Sequence, residues 1–494
     1  MRARGRILSA ALTVFLCACA AAPREDAAPA GRASAESAHA ATAGSSLPQS
    51  ADATSHDASF AGDQKNVATP SNSTNAKNAN ASATGSNATN PTAGTFERLN
   101  ALQREANALK SMLAVYEFYR ARHAQSQGGL RELIAQVLAA TEAELGDYAA
   151  AAHTFPYGVA VVRGVPAPAP SPADFHAVDA AQAIATLATS RRIVLVNEAH
   201  HAAQTRVLTL ALLPRLRALG FTHFAAEGLD ERDRDLAVRG YPIDASGVYV
   251  REPLYGEIVR TALKLGFVVV PYESTTSGSD TAAREDEQAR HLVERVFRSQ
   301  PDARLFVHAG YAHVHKHGGY LDAEPMAMRL KRMSGLDPLS VDQTMLRPID
   351  GRREYEGYRS IVQRFAIRSP AVLLSARSGN AWSLEPDYYD VSVVLPPPTQ
   401  GIVGRPDWLT LAGTREVVPI DLDLSDEHLP CVIEARYAAE GAKAVPADRM
   451  LVERGKGQVV LFLRPGKYRL AAVDAKGHSV IDRELRVDAA KPAS

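Results

Sequence analysis

The 494-residue chain has only three cysteines, Cys17, Cys19 and Cys431, a scarcity that excludes a disulfide framework and a cysteine-built zinc site. Charge of one sign is lacking as well. Lys plus Arg and Asp plus Glu each total 55, so no global basic field exists to hold nucleic acid, and none is expected as a partner. Beyond the N-terminus no apolar run approaches the roughly 20 residues that a spanning helix needs. The Gly-x-Ser-x-Gly elbow, the Walker A loop, Gly-x-Gly-x-x-Gly and His-Glu-x-x-His are all missing. A serine nucleophile, a nucleotide cofactor and a compact two-histidine zinc helix therefore find no support. At about 100–200 residues per domain, the length predicts two or three packed units.

What is present begins with an export signal. Arg2, Arg4 and Arg6 form a positive start, Ile7 to Leu16 an apolar stretch, and small residues follow. The order Leu16-Cys17-Ala18-Cys19 resembles a bacterial lipobox, with Cys19 the acylated residue because Cys17 follows the bulky Leu16. An ordinary signal peptide cut near Ala20 or Ala21 is the alternative. By analogy with lipoprotein sorting, Ala20 after the lipid-bearing cysteine points to the outer membrane. Residues 1–19 thus read as a lipoprotein signal, and the mature chain is expected to meet the membrane through its N-terminal lipid, in the periplasm or at the cell surface. Residues 20–94 are Ala, Ser, Thr, Asn and Pro with almost no large apolar side chain, a composition that cannot repay the entropy of folding. They read as a disordered tether, on the order of 50 Å in r.m.s. span, with His39 and His56 as solvated linker residues.

Leu99, Leu102, Ala106, Leu109, Leu113 and Tyr116 recur at spacings of three and four, a helical stripe. Gly128-Gly129 breaks it and Leu130, Leu133, Ile134, Val137 and Leu138 resume the period, so a helical hairpin is expected over residues 95–164. Over residues 173–395 short β-branched runs alternate with helical patterns, which predicts an α/β domain with a mostly parallel sheet and flanking helices. Its first strands are Ile193–Val196, Thr222–Ala226, Phe267–Val270 and Arg304–Val307; Ser340–Met345, Ala371–Leu374 and Val391–Leu395 add others. Residues 399–488 show closely spaced strands and turn signals, expected as a small accessory β-sandwich able to meet a protein partner. Cys431 begins one of these strands and reads as a buried small hydrophobe.

In an open parallel sheet, ligands bind outside the carboxyl ends of the strands. Here the first strand runs into Asn197-Glu198-Ala199-His200-His201, the second into Glu227-Gly228, the third into Tyr272-Glu273 and the fourth into His308-Ala309-Gly310-Tyr311-Ala312-His313. Four strand ends in succession thus bring ionisable groups to one rim, where burial and mutual charge tune them. His308, inside the strand, is as well read as a hydrogen-bonded core residue. His201, His315 and His317 read as surface residues, although the alternation His313, His315, His317 would align three imidazoles on one face of an extended segment.

These residues resemble the superfamily of the erythromycin esterases, the ChaN-like haem-binding lipoproteins and the TraB/Tiki-type metalloproteases. Its members share a Gly-Glu-x-His turn after the first core strand, an acidic residue after the second and a later Gly-x-x-His. The counterparts here are Asn197-Glu198-Ala199-His200, Ala226-Glu227-Gly228 and Gly310-Tyr311-Ala312-His313, and Arg284-Glu285-Asp286-Glu287-Gln288-Ala289 is similar to the family's Arg-led helix start. Asn197 stands where Gly is usual, and Asn tolerates positive φ. The basic residue of the first helix has its counterpart in Arg206, whose six-residue separation from His200 does not place both on one face of a regular helix.

The resemblance implies a hydrolase acting on an ester or peptide bond of a small-molecule or peptide substrate. Glu198, His200, Glu227, Arg284 and His313 would be its catalytic residues. His200 suits a neutral base or a metal ligand, oriented by Glu198 or Glu227; His313 suits a leaving-group acid, a carbonyl polariser or a second ligand; Arg284 suits an anionic group of the substrate. A divalent metal, zinc or manganese, would take His200, Glu227 and His313. The alternatives are a haem- or iron-binding lipoprotein, with His308 and Tyr311 at the cofactor, and an inactive surface interaction module.

Overall fold

The computed structural model describes residues 93–158, 165–275, 280–349, 354–399, 401, 404–422, 426–453 and 458–489. The expected signal with Cys19, and all but the last residues of the tether, lie outside them.

The first described stretch is helical: α1 (Ala93–Ala106), α2 (Met112–Gln125), α3 (Gly128–Glu144) and α4 (Tyr148–Thr154). Four helices thus replace the expected hairpin. The stripe from Leu99 to Tyr116 is interrupted where Ser111 caps α2 by accepting a hydrogen bond from the Ala114 amide, a cap that favours a helix start over helix continuation. The glycine pair opens α3 rather than breaking a helix, Gly128 turning the chain at φ 56°.

The central sheet comprises β1 (Phe175–Asp179), β2 (Ile193–Glu198), β3 (His223–Ala226), β4 (Val268–Val270), β5 (Leu305–Gly310), β6 (Leu339–Asp342), β7 (Ala371–Ser375) and β8 (Val391–Val394). Their order is β1-β7-β8-β6-β2-β5-β3-β4. From β8 through β4 the strands run parallel, and β7 and β1 add an antiparallel edge. The connecting helices α5 (Ala180–Ala188), α6 (Gln204–Ala218), α7 (Leu236–Arg239), α8 (Pro253–Lys264) and α9 (Thr281–Leu292) complete an α/β fold with a mostly parallel sheet. Helices over both faces leave no solvent side, so every residue of β2 and β5 is buried.

The C-terminal strands are β9 (Glu416–Asp421), β10 (Cys431–Tyr437), β11 (Asp448–Val452), β12 (Gln458–Leu463), β13 (Gly466–Asp474) and β14 (Ser479–Val487). They form a four-stranded antiparallel sheet, β11-β10-β13-β14, and a two-stranded one, β12-β9. The boundary expected near residue 399 does not divide the core. Leu409, Leu411, Val460 and Phe462 belong to the same apolar cluster as Val194, Val196 and Phe306, and Val432 and Leu451 pack with Leu113, Leu133 and Leu138 of the helical segment. Arg260 of α8 pairs with Glu440 at 2.7 Å. Cys431 is buried, and that burial pushes its thiol up to about 11.

Candidate active site

Strand order gathers the rim. β5 lies between β2 and β3, with Glu198 beside Gly310 and Ala226 beside His308 in the ladders. Three carboxyl ends therefore finish side by side, and the turns after them carry Glu198 and His200, Glu227, and Tyr311 to His313 to one place. Asn197 has no left-handed backbone; it is the penultimate residue of β2. Its amide Nδ2 donates to Asp342 Oδ1 at 2.8 Å and its Oδ1 accepts from the Gln343 amide at 2.8 Å, so it ties β2 to the end of β6.

His200 Nδ1 lies 2.8 Å from Glu198 Oε1. A carboxylate there requires a proton on Nδ1, which leaves Nε2 as the basic nitrogen. Nε2 faces Gly310 and Glu227: a Cβ on Gly310 would stand 2.5 Å from it, and Glu227 Oε1 is 4.0 Å away. Tyr249 stacks on the imidazole, ring centroids 4.0 Å apart and planes 9° from parallel. Behind the pair, Arg206 Nε donates to Glu198 Oε2 at 2.7 Å and Arg206 Nη2 to the His200 carbonyl at 2.9 Å. Burial by itself pushes the Glu198 carboxyl up, but Arg206 and His308 outweigh it and hold the group well below the usual carboxylate range.

Glu227 Oε1 is the hub of the other half. Arg284 Nη2 donates to it at 3.1 Å and His313 Nε2 stands 3.6 Å away, while Oε2 accepts from the Gly310 amide. Burial opposes the charge of Glu227, yet His313, His200, Arg284 and that amide bring the carboxyl down to about 2. His313 Nδ1 lies 2.7 Å from Glu285 Oε1, and Glu285 Oε2 also caps the chain at Met326 N, at 2.7 Å. Burial disfavours the His313 imidazolium, but Glu285 and Glu227 reverse the balance and raise it above 6.5. Arg284 also reaches Glu273 Oε2 at 3.5 Å, and Glu273 Oε1 accepts from the Gly228 amide at 3.0 Å. His200 keeps 10% of its side-chain surface and Arg284 16%, whereas Glu198, Glu227, His313 and Glu285 keep 2% or less. Of this group His200, Arg284 and Glu273, which also keeps 16%, are the side chains that reach solvent.

All five expected catalytic residues converge, and Arg206 joins them. The helical-spacing argument against Arg206 fails because His200 precedes the helix; α6 begins at Gln204 and the long side chain reaches back to the strand end. Sequence reasoning missed Tyr249 and Glu252. Gly310 and Glu285 were named only within the family-like stretches, with no role of their own.

The expected metal set does not fit. Arg284 stands between Glu227 and His313, with Nη1 3.3 Å from His313 Nε2, so a fixed positive charge fills the position a divalent cation would need. Among the described residues no three His, Cys, Asp or Glu side chains converge as a metal site requires. Haem fares no better at the residues expected for it. His308 is wholly buried in β5, its Nδ1 3.0 Å from Thr209 Oγ1 and its Nε2 3.1 Å from Glu198 Oε2. Tyr311, at a left-handed φ of 36°, turns its hydroxyl to His201 Nδ1 at 3.3 Å, and His201 stacks on Phe155 with centroids 3.6 Å apart. Nor do His313, His315 and His317 share a face: Tyr311–Val314 is a 3₁₀ turn, His315 bonds the Tyr389 hydroxyl at 2.7 Å, and His317 is exposed.

No family model and no curated protein matches the chain. Among solved structures it is similar to the type III effector HopBA1, at 12% identity and a TM-score of 0.28, over 43% of this chain and 91% of that one. It is similar too to ChaN of Campylobacter jejuni, in a structure of cofacial haem binding, at 10% identity and a TM-score of 0.27, over 46% and 99%. A third is RRSP, a MARTX toxin effector domain from Vibrio vulnificus CMCP6, at 19% identity and a TM-score of 0.23, over 30% and 33%. These likenesses are too slight to carry chemistry from those proteins to this chain.

Proposed function

We propose that the chain is a hydrolase of ester or peptide bonds with His200 as its base. The observation that supports this is the Arg206–Glu198–His200 series, which turns Nε2 toward the Glu227–Arg284 pair at the solvent-facing rim. In the reaction, Nε2 takes a proton from water as the water oxygen bonds to the carbonyl carbon, and Arg284 N–H groups receive the developing oxyanion. Glu198 stabilises the imidazolium so formed. Collapse breaks the bond to the leaving oxygen or nitrogen, and His200 returns the proton to it. His313 lies behind Arg284, so it acts by holding Glu227 and, through it, the guanidinium.

The test is an ester and peptide panel with the full chain. His200→Gln is expected to lower turnover by about 10²- to 10⁴-fold, the usual worth of a general base, while His317→Ala, on an exposed side chain, leaves it unchanged. Undiminished turnover in His200→Gln sinks the reading. We also propose that Cys19 bears a lipid that holds the chain at the outer membrane, with its folded part in the periplasm or at the cell surface. Labelled palmitate should enter the wild type and not Cys19→Ala; label retained in the variant removes the anchor.

A further inference from the structure

The buried face of the His200–Glu198 pair does not end at Arg206. Arg206 Nη1 forms an ion pair with Glu252 Oε2 at 3.0 Å, and Glu252 Oε1 accepts from the Tyr148 hydroxyl at 2.9 Å. Glu252 is held as well by the first turn of α8, whose Tyr255 amide donates to Oε2 at 2.8 Å. Tyr148 opens α4, in the helical segment, and its ring packs on Trp408 with centroids 5.0 Å apart, with the Arg405 guanidinium 5.9 Å from its centroid. Arg405 in turn donates to Asp448 Oδ1 at 2.9 Å, the first residue of β11. Glu198, Arg206 and Glu252 are 1% exposed each and Tyr148 8%, so water does not compete for these contacts. A buried guanidinium shared by two carboxylates has its direction set by both, and a carboxylate that loses one partner pulls harder on the other.

We infer that Glu252 and Tyr148 are positioning residues for His200, through which the helical segment and the C-terminal strands fix the orientation of the His200–Glu198 pair. Neither touches the reacting atoms. Tyr148 satisfies one oxygen of Glu252, Glu252 divides Arg206 with Glu198, and Glu198 is thereby held at the angle that keeps the His200 proton on Nδ1. This rests on the reading of His200 as the base, but its test does not need turnover.

The test is nitrogen NMR of the full chain labelled at histidine, at one fixed pH, with the His200 signals assigned by their loss in His200→Gln. The wild type should show His200 in the Nδ1–H tautomer with a slowly exchanging Nδ1 proton. Tyr148→Phe removes one hydroxyl and keeps the ring, so the fold survives; exchange of that proton should quicken about five- to tenfold, the worth of one hydrogen bond. Glu252→Gln, if it folds, should add a population of the Nε2–H tautomer, and Glu252→Asp should restore part of the wild-type signal. Tyr157→Phe is the control: its hydroxyl meets Glu132 at 3.3 Å in the same helical segment and takes no part in the contacts given above for Arg206, Glu252 and Tyr148. A folded Tyr148→Phe with wild-type His200 signals overturns the inference, as does an equal change in Tyr157→Phe. Absence of any hydrolysis would strike the functional reading alone, because the NMR result stands without it.

Discussion

At the scale of single residues, charge decides the site, and His313 shows how. Its imidazolium is stabilised in the fold by Glu285 and Glu227, so its folded value lies above the ordinary 6.5. The sign follows: its contribution to stability is complete below 6.5 and fades as pH rises through the raised folded value. Glu227 is the reverse case, contributing above the ordinary carboxylate value and losing its contribution only as pH falls through about 2. Thermal melts from about pH 6 to about pH 9 should therefore show a falling Tm in the wild type and a flatter profile in His313→Gln; equal slopes in the two proteins exclude this role. Glu198, His200, Glu227, Arg284 and His313 were legible in the sequence because four of them follow a strand directly and the fifth opens a helix with a family-like start. Arg206 was legible only as a counterpart in the resemblance and Glu252 not at all, since what places them is the reach of a long side chain across a tertiary gap, which no spacing encodes.

At the scale of elements, the site depends on how closely the ends of β2 and β5 approach. Gly310 is the residue at that approach. Its φ of −73° suits any residue, so space alone demands glycine: a Cβ would lie 2.5 Å from His200 Nε2 and 3.0 Å from Glu227 Oε2. Gly310→Ala should displace the imidazole and cut kcat/KM by about 10²-fold, as misplacement of about 1 Å does, with a stability cost of about 1–3 kcal/mol from overpacking. Wild-type kcat/KM in this variant, measured beside its Tm, would refute the close approach. The next residue, Tyr311, has the backbone strain instead, at φ 36°, a conformation that costs non-glycine residues of order 1–3 kcal/mol. The central strands β2 and β5 were legible because they are buried on both faces and open with unbroken apolar runs, Ile193–Val196 and Leu305–Val307. Strand β1 was not: its residues Phe175 to Asp179 are mostly exposed and pair only with β7, so no apolar pattern marks them.

At the scale of the molecule, the three expected domains share cores that sequence segmentation divides. Composition shifts near residues 165 and 399 do mark changes of secondary structure. They do not mark gaps in packing, because turn residues and prolines report local chain direction and not what lies across an interface. A chain trimmed to residues 173–395 would lose Leu409, Leu411, Val460 and Phe462 from its core, each worth about 1.5–3 kcal/mol when buried. That loss is comparable to the whole net stability of an ordinary domain, about 5–15 kcal/mol. Calorimetry should find no cooperative transition in the trimmed chain; a sharp melt near the Tm of the full chain would show that the shared core is dispensable. The same shared core sets an order of events during synthesis. β2 lies at the middle of the sheet, yet its neighbours β5 and β6 are made more than a hundred residues later, and β12, whose Val460 and Phe462 join the same apolar cluster as Val194 and Val196 of β2, later still. Contacts so distant in sequence form slowly, and a ribosome that has finished the rim residues still holds an unclosed, apolar-faced chain until the last strands emerge.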